Sequence, residues 1–246
     1  MLMRILGAGM VGGATAGLLA ALLQLYFVQP VLLHAELYET GELVHFGGVT
    51  EGDAHSHGEN TSDDGHDDHD HAHDHDGEGS DFQRNGLSVL FSMLIYAGYG
   101  LIVAALMSLA AERGANVTAR SGLIWGIAGF IAVHFAPGFS LAPEVPGVAA
   151  ADLQTRQIWW FATVGTAALG LWLVAFGRNW AMWGAAVILF LAPHVVGAPE
   201  PEVLTGPAPT EIGALFAARA FGVGLVAWVL LGFFTAAIWE RSEAEG

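Results

Sequence analysis

Long apolar stretches separated by short polar segments dominate this chain of 246 residues. A transmembrane helix needs roughly 17–25 mostly apolar residues to cross about 30 Å of hydrocarbon. Four stretches have this length, and two shorter ones that end in proline-containing segments are also counted as spans. The long stretches are Ile5–Val28, Leu87–Ala110, Ile158–Phe176 and Ile212–Trp239, and the shorter ones are Ser121–Ala136 and Trp180–Val196.

Backbone in lipid must satisfy its hydrogen bonds within its own segment, so each span is predicted to be a helix. Proline residues are expected at the helix ends or beside a cavity. The predicted fold is therefore an all-α integral membrane protein, a single membrane domain over residues 1–246 with a bundle of about six transmembrane helices. The lipid bilayer that surrounds these helices is therefore a predicted partner of the protein.

The first span contains a glycine-rich segment, GAGMVGG. Gly7, Gly9 and Gly12 fit the dinucleotide fingerprint G-x-G-x-x-G, but that motif needs a preceding strand and a βαβ unit, and here an apolar run continues instead. Gly9, Gly13 and Gly17 follow a four-residue spacing that lets another transmembrane helix approach closely. The apolar run is also longer than the roughly 7–15 residues of a cleaved signal peptide, so the span is expected to be retained.

The residue composition narrows the available chemistry. The chain has no cysteine, and all eight basic residues are arginine. Disulfides, thiolate ligands and the P-loop lysine are therefore excluded. The chain is not expected to hydrolyse ATP itself. Import would have to use a gradient, the membrane potential or a separate partner.

The net charge of −16 is concentrated in one segment. Twelve of the 24 acidic residues lie between Glu51 and Asp81, where there is no arginine. An acidic chain without basic clusters is a poor nucleic-acid binder, so no nucleic-acid partner is predicted. The surrounding loop, residues 47–83, is inserted between the first two spans and is predicted to be disordered because it is rich in Gly, His and Asp and poor in large apolar residues.

Seven histidines alternate with carboxylates in this loop, most densely in HDDHDHAHDHD. Neutral imidazole binds divalent transition metals, and carboxylates add charge attraction. A merely solvated acidic linker is the alternative interpretation, but acidity alone does not require histidine. The pattern favours metal capture without selecting the metal. The candidate ligands are His55, His57, His66, His69, His71, His73 and His75.

Arginine placement predicts the orientation. With both termini in the cytoplasm, the positive-inside rule is satisfied by most of the arginines. Every histidine then lies on, or at the membrane border of, the outer face. The inner arginines are Arg4, Arg113, Arg120, Arg178 and Arg241, whereas Arg84 and Arg156 fall outside and Arg219 lies in the outer part of the last span.

Three further outer segments carry histidine together with carboxylate. Their candidate metal ligands are His34 and Glu36 after the first span, His134 after the third and His194 after the fifth. A single histidine at a helix end is usually an interfacial or capping residue, but three on one face favour a site of metal uptake.

Arg219 is a functional candidate because an ionisable group inside a span is costly. Glu211, Asp152 and Glu36 are its expected partners, and a purely structural ion pair is the alternative.

Four motifs together resemble the CbtA family of predicted cobalt transporter subunits, over almost the whole chain. The motifs are HAELYE (34–39), PEVPGVAAADLQTRQIWW (143–160), PHVVGAP (193–199) and LFAARAF (215–221). The resemblance implies an inner-membrane protein with about five spans that serves cobalt supply for cobalamin synthesis, often with a small histidine-bearing partner, CbtB. Positions typical of the family are Glu36, Tyr38, Arg156, Gln157, Trp159, Trp160, His194 and Arg219.

The most consistent function is a permease, or permease subunit, for a divalent transition metal. Cobalt is favoured, with nickel, zinc and copper as alternatives. A membrane-anchored metal sensor, buffer or metalloenzyme is the competing class, although no H-E-x-x-H or G-x-S-x-G motif supports an enzyme. A homo-oligomer is a further expectation, because few polar residues lie within the spans. Structural or gating roles are expected for Arg156, Trp159, Trp160, Arg219, Asp152 and Glu211.

Overall fold

The computed structural model describes residues 2–45 and 77–244, and within these ranges the chain is helical with no strand. This confirms the predicted all-α bundle. Five of the described helices are long and apolar enough to cross a membrane, and the sixth, with 17 residues, is shorter. The helices are α1 (Leu2–Glu39), α2 (Gly77–Ala111), α3 (Ala119–Ser140), α4 (Leu153–Phe176), α5 (Trp180–Val196) and α6 (Thr210–Ala244).

Successive helices run in alternating directions between two ends of the bundle. We call the end where α1 stops and α2 starts the loop end, and the end where α1 starts and α6 stops the terminal end. An ion pair of 2.9 Å between Arg4 and Glu243 joins α1 to α6 at the terminal end. At the loop end, the amide of Ala149 donates to the carbonyl oxygen of Thr205 over 2.8 Å.

Small residues let the helices pack closely. Helix α1 packs mainly on α2 and α6, α3 packs on α6, and α4 pairs with α5. The predicted glycine stripe of α1 lies against α2, where a Cβ on Gly13 would come within 2.6 Å of the Cα of Ala97. A second glycine contact, between Gly126 and Gly232, joins α3 to α6 and was not anticipated. Close backbone approach is therefore the main packing device of the bundle.

Five of the six helices extend beyond their predicted apolar stretches, and α1 and α2 do so the most. Helix α1 continues past Val28 to Glu39, and α2 begins at Gly77, so residues 77–83 of the predicted loop are helical. Extending an existing helix adds one backbone hydrogen bond for each residue that is fixed. Polar residues can therefore continue a helix, although hydropathy does not assign them to the span. His34 and Glu36 consequently lie on α1 itself rather than on a segment that follows it.

Each of two helices contains a π-helical stretch, at Gln24–Val28 in α1 and at Ile131–Phe135 in α3. Pro30 and Pro137 each follow their stretch by two residues. Proline lacks an amide hydrogen and its ring clashes with the carbonyl four residues earlier, so the helix widens before it. Both helices continue beyond the proline, and both π-helical stretches face the interior site described next.

Candidate functional site

A cavity of about 470 Å³ lies among five helices in the half of the bundle nearer the loop end. Helices α1, α2, α3, α4 and α6 line it, and α5 does not. We call it the central cavity. Its polar or partly polar lining side chains are Gln24, Tyr96, Tyr99, His134, Arg156 and Trp160.

A second cavity, of about 330 Å³, lies between α1 and α2 and is called the lateral cavity. Glu36 and Arg84 line it, and deeper in it Gln29 donates a hydrogen bond of 3.2 Å to Asn85. Gln24, Val28 and Phe216 line both cavities, so the two adjoin at these residues. Together they connect Glu36 to His134 through a space lined by several polar side chains, which we call the polar route.

His134 is fixed at the wall of the central cavity. The indole N–H of Trp228 donates to its Nδ1 over 3.0 Å, and the ring of Phe130 stacks on it at 6.0 Å. An indole nitrogen can only donate, so Nδ1 is unprotonated and the neutral ring carries its hydrogen on Nε2. A direct metal bond to His134 would require this arrangement to break. Its predicted role as a ligand stays a prediction.

Arg156 and Trp160 line the central cavity from the first turns of α4. Glu144, in the connection before α4, pairs with Arg156 at 3.0 Å. The carboxylate of Asp152 accepts the amide hydrogen of Thr155 at 3.0 Å and so caps α4 at its N-terminus. The cap and the ion pair together set where α4 presents its polar residues to the cavity.

The predicted partners of Arg219 are corrected by the structure. Its guanidinium donates to the backbone carbonyl oxygen of Phe27 at 2.9 Å, rather than to a carboxylate. Glu211 instead accepts from the adjacent hydroxyl of Thr210. Phe27 lies within the π-helical stretch of α1, so this hydrogen bond ties α6 to that stretch.

His194 lies outside both cavities. Its Nδ1 is 2.8 Å from the hydroxyl of Ser140, and its ring meets those of Phe139 and Trp159 edge to face. The indole N–H of Trp159 donates to the carbonyl oxygen of Pro193 at 3.2 Å. These contacts join the loop ends of α3, α4 and α5. The structure thus separates His194 from the polar route.

The remaining metal candidates are dispersed. His34 is exposed on α1 and stacks on Tyr38 at 5.7 Å. Within residues 2–45 and 77–244, no three His, Asp or Glu side chains gather into a group able to hold a metal. The seven loop histidines, His55, His57, His66, His69, His71, His73 and His75, lie outside the described residues.

Towards the terminal end, the floor of the central cavity is closed by large apolar side chains. Trp228 is 3% exposed, and Met107 and Leu231 are fully buried. Tyr99 contacts Trp228 ring to ring at 5.0 Å. Large apolar side chains therefore separate the central cavity from the terminal end.

Sequence reasoning missed several residues of this site. The hydropathy pattern assigns Tyr96 and Tyr99 to an apolar span, although their three-residue spacing puts both side chains on one face of α2. Trp228 was missed for the same reason. The sequence does contain a signal for the two π-helical stretches. Pro30 and Pro137 each lie near the end of an apolar stretch, where a proline disturbs the preceding helical turn.

Comparison with known proteins gives one result. The family model for CbtA, described as a probable cobalt transporter subunit, matches residues 2–240. The chain belongs to the CbtA family. Neither the curated proteins nor the solved structures provide a match.

Membership in CbtA agrees with the helical architecture and supports a multi-pass membrane protein that works as a cobalt transporter subunit. The word subunit implies a partner. A transporter subunit also fits the prediction that the chain is not an enzyme.

Proposed function

We propose that this CbtA protein imports Co(II) across the cytoplasmic (inner) membrane through its two adjoining cavities. The observation that supports this most strongly is the set of polar side chains that line the two adjoining cavities, with Glu36 in the lateral cavity, Gln24 in both and His134 in the central one. Polar and ionisable side chains inside a membrane bundle are costly and typically mark substrate pathways. A protein that only anchored a metal-binding loop would not need such an interior.

The orientation belongs to the proposal. Five arginines lie near helix ends at the terminal end of the bundle. They are Arg4, Arg113, Arg120, Arg178 and Arg241. By the positive-inside rule the terminal end, and with it both termini, faces the cytoplasm. The loop end with its histidines then faces outwards, and an inside-negative potential draws a dication inwards by about 2.3 kcal/mol per charge per 100 mV.

Glu36 is the proposed first contact of the metal with the bundle. Its carboxylate lines the lateral cavity, is half-buried and forms no hydrogen bond with another described residue. Carboxylate oxygen attracts a dication and can occupy one of its coordination positions. Gln24, which lines both cavities, is the next polar group inwards.

The histidine-rich loop serves as the proposed capture device outside the membrane. Its imidazoles and carboxylates raise the local concentration of metal near Glu36, and exposed His34 on α1 can join them. His194 belongs to this proposed outer set only through its Nε2, since its Nδ1 contacts Ser140. A small CbtB-like membrane partner and a homo-oligomer are the proposed assemblies.

Uptake of radioactive Co(II) into proteoliposomes containing the full chain, alone and with its co-purifying partner, tests the proposal. Losing about 1.4 kcal/mol of stabilisation of the ion while it crosses the barrier inwards from the lateral cavity predicts a tenfold lower maximal rate for Glu36→Gln. Glu202→Gln removes an exposed loop-end carboxylate that lines neither cavity and should leave the rate unchanged. Metal binding without uptake in either preparation would favour a sensor or buffer instead.

A further inference from the structure

We propose that the central cavity receives cobalt as a complex with a small carboxylate chelator, rather than as the bare or hydrated dication. The inference rests on the proposed transport function. It is drawn from a cavity that lacks acidic side chains, presents hydrogen-bond donors and is large enough for a small molecule.

The charge of the cavity opposes a bare dication. Among the described residues that line it there is no Asp or Glu, and the one formal charge is the guanidinium of Arg156. Glu144 pairs with Arg156 at 3.0 Å, so the two charges offset each other. A dication among these residues would have no free carboxylate to balance its charge, which is unfavourable. A chelator whose carboxylates neutralise the charge of the dication removes this difficulty. Such a neutral complex would follow its own concentration gradient rather than the membrane potential.

Hydrogen-bonding capacity points the same way. Because Trp228 donates to Nδ1 of His134, the hydrogen of the neutral ring lies on Nε2. This nitrogen faces Gly224 of α6, where an added Cβ would lie 3.5 Å from it. His134, which lines the cavity, is therefore a donor through Nε2 and offers no lone pair for a metal in this arrangement. Arg156 also only donates, since a guanidinium has five N–H groups and no acceptor.

The two tyrosines and Gln24 complete the polar lining. The hydroxyls of Tyr96 and Tyr99 and the amide of Gln24 form no hydrogen bond with another described residue, so they can serve a ligand. Each can donate as well as accept. The complete set is complementary to an acceptor-rich molecule such as a polycarboxylate.

The size of the cavity exceeds that of a hydrated ion. Six coordinated waters at about 30 Å³ each occupy roughly 180 Å³. The central cavity has about 470 Å³, which lies in the range of pockets that bind small organic molecules, about 300–1,000 Å³. A chelate with free coordination positions can still contact Glu36 on its way inwards.

Double-label uptake into proteoliposomes containing the full chain, with its partner, tests this inference. The probes are radioactive Co(II) alone, Co(II) with excess labelled citrate, and Co(II) with excess labelled histidine. The expected result is that at least one labelled chelator enters together with cobalt, and that cobalt uptake persists although the chelator lowers free Co(II) more than tenfold. Uptake that follows free Co(II), with neither chelator entering, overturns the inference while leaving cobalt transport intact. If cobalt enters under no condition, the proposed transport fails and this inference fails with it.

Variants of Arg156, compared with a control at Arg178, test whether the central cavity binds the chelate. Arg156→Gln is expected to raise the half-saturating concentration of the cobalt chelate at least fivefold, and Arg156→Lys to recover part of the loss because the charge is kept. Arg178→Gln, an exposed arginine at the terminal end, is the matched control and should behave as the unchanged protein. Equal changes in Arg156→Gln and Arg178→Gln would overturn the assignment to the central cavity.

Discussion

The guanidinium of Arg219 on α6 donates a hydrogen bond of 2.9 Å to the backbone carbonyl oxygen of Phe27, inside the π-helical stretch of α1. A π-helical turn shifts the helical hydrogen bonds by one residue and locally interrupts their ladder. Arg219 therefore ties α6 to an interrupted part of α1, beside Gln24 and Val28, which line both cavities. The intramembrane arginine supports the shape of the polar route without itself lining it.

Replacing Arg219 tests this role. We expect Arg219→Gln to lower the free energy of unfolding by about 1 kcal/mol. This is less than the usual contribution of a hydrogen bond to a charged group, because the side chain is half-exposed. Arg219→Lys should recover part of this loss, since an ammonium group can also donate. The measurement is the thermal unfolding midpoint in detergent, with Arg178→Gln as control. A midpoint lowered equally by both glutamine variants would contradict the specific role of Arg219.

The six helices could be predicted from the sequence because long apolar stretches leave few alternatives in a membrane. Their ends could not, because residues 29–39 are polar enough to resemble a loop and yet continue α1. Glu36 and Arg156, which the sequence selects as candidates by residue type, line the cavities. Their roles stay predictions.

The hydrogen-bond partners of the candidate residues are harder to predict from the sequence than the candidates themselves. Arg219 contacts a backbone carbonyl, and His134 contacts Trp228, a residue that hydropathy assigns to the apolar core. Neither kind of partner leaves a charge pattern in the sequence. Only the three-dimensional packing of α1, α3 and α6 reveals them.

Glycine packing between α1 and α2 gives a second prediction. A Cβ on Gly13 would meet the backbone of α2 at 2.6 Å from the Cα of Ala97, whereas a Cβ on Gly98 would meet nothing within 4 Å. Gly13→Ala should therefore lower the free energy of unfolding by about 1–3 kcal/mol through overpacking. Gly98→Ala should be neutral or stabilise by up to about 1 kcal/mol through helix propensity. Unfolding midpoints in detergent compare the two, and equal midpoints would count against close contact at Gly13.

The proposed orientation predicts the outcome of reporter insertions. A reporter that works only outside the cytoplasm should be active after Gly58 and inactive after Gly246, and a cytoplasmic reporter should give the opposite pattern. The physical reason is the concentration of arginine at the terminal end of the bundle. A cytoplasmic signal after Gly58 would reverse the orientation and with it the direction of the proposed import.

Metal binding by the loop can be measured separately from the bundle. A synthetic peptide of residues 53–81 should bind Co(II) at neutral pH and release it between about pH 7 and pH 5, because a ligating imidazole must be unprotonated. Isothermal titration at several pH values is the measurement. A matched peptide with every histidine replaced by asparagine keeps the carboxylates, and equal binding by both peptides would show that acidity alone holds the metal.

Capture and translocation are distinguished by the dependence of uptake on cobalt concentration. If the loop only raises the local concentration of metal, deleting residues 53–75, which leaves α2 intact from Gly77, should raise the half-saturating Co(II) concentration about tenfold or more through the lost effective concentration. The maximal rate should not change, because the cavities are untouched.

Glu36→Gln should show the converse behaviour, since it alters the lateral cavity itself and extra metal cannot replace a missing carboxylate. Initial rates of radioactive Co(II) uptake over a wide concentration range compare both variants with the unchanged chain. A loop deletion that lowers the maximal rate, or a Glu36→Gln defect that saturating metal repairs, would contradict the division between an outer capture loop and an interior route.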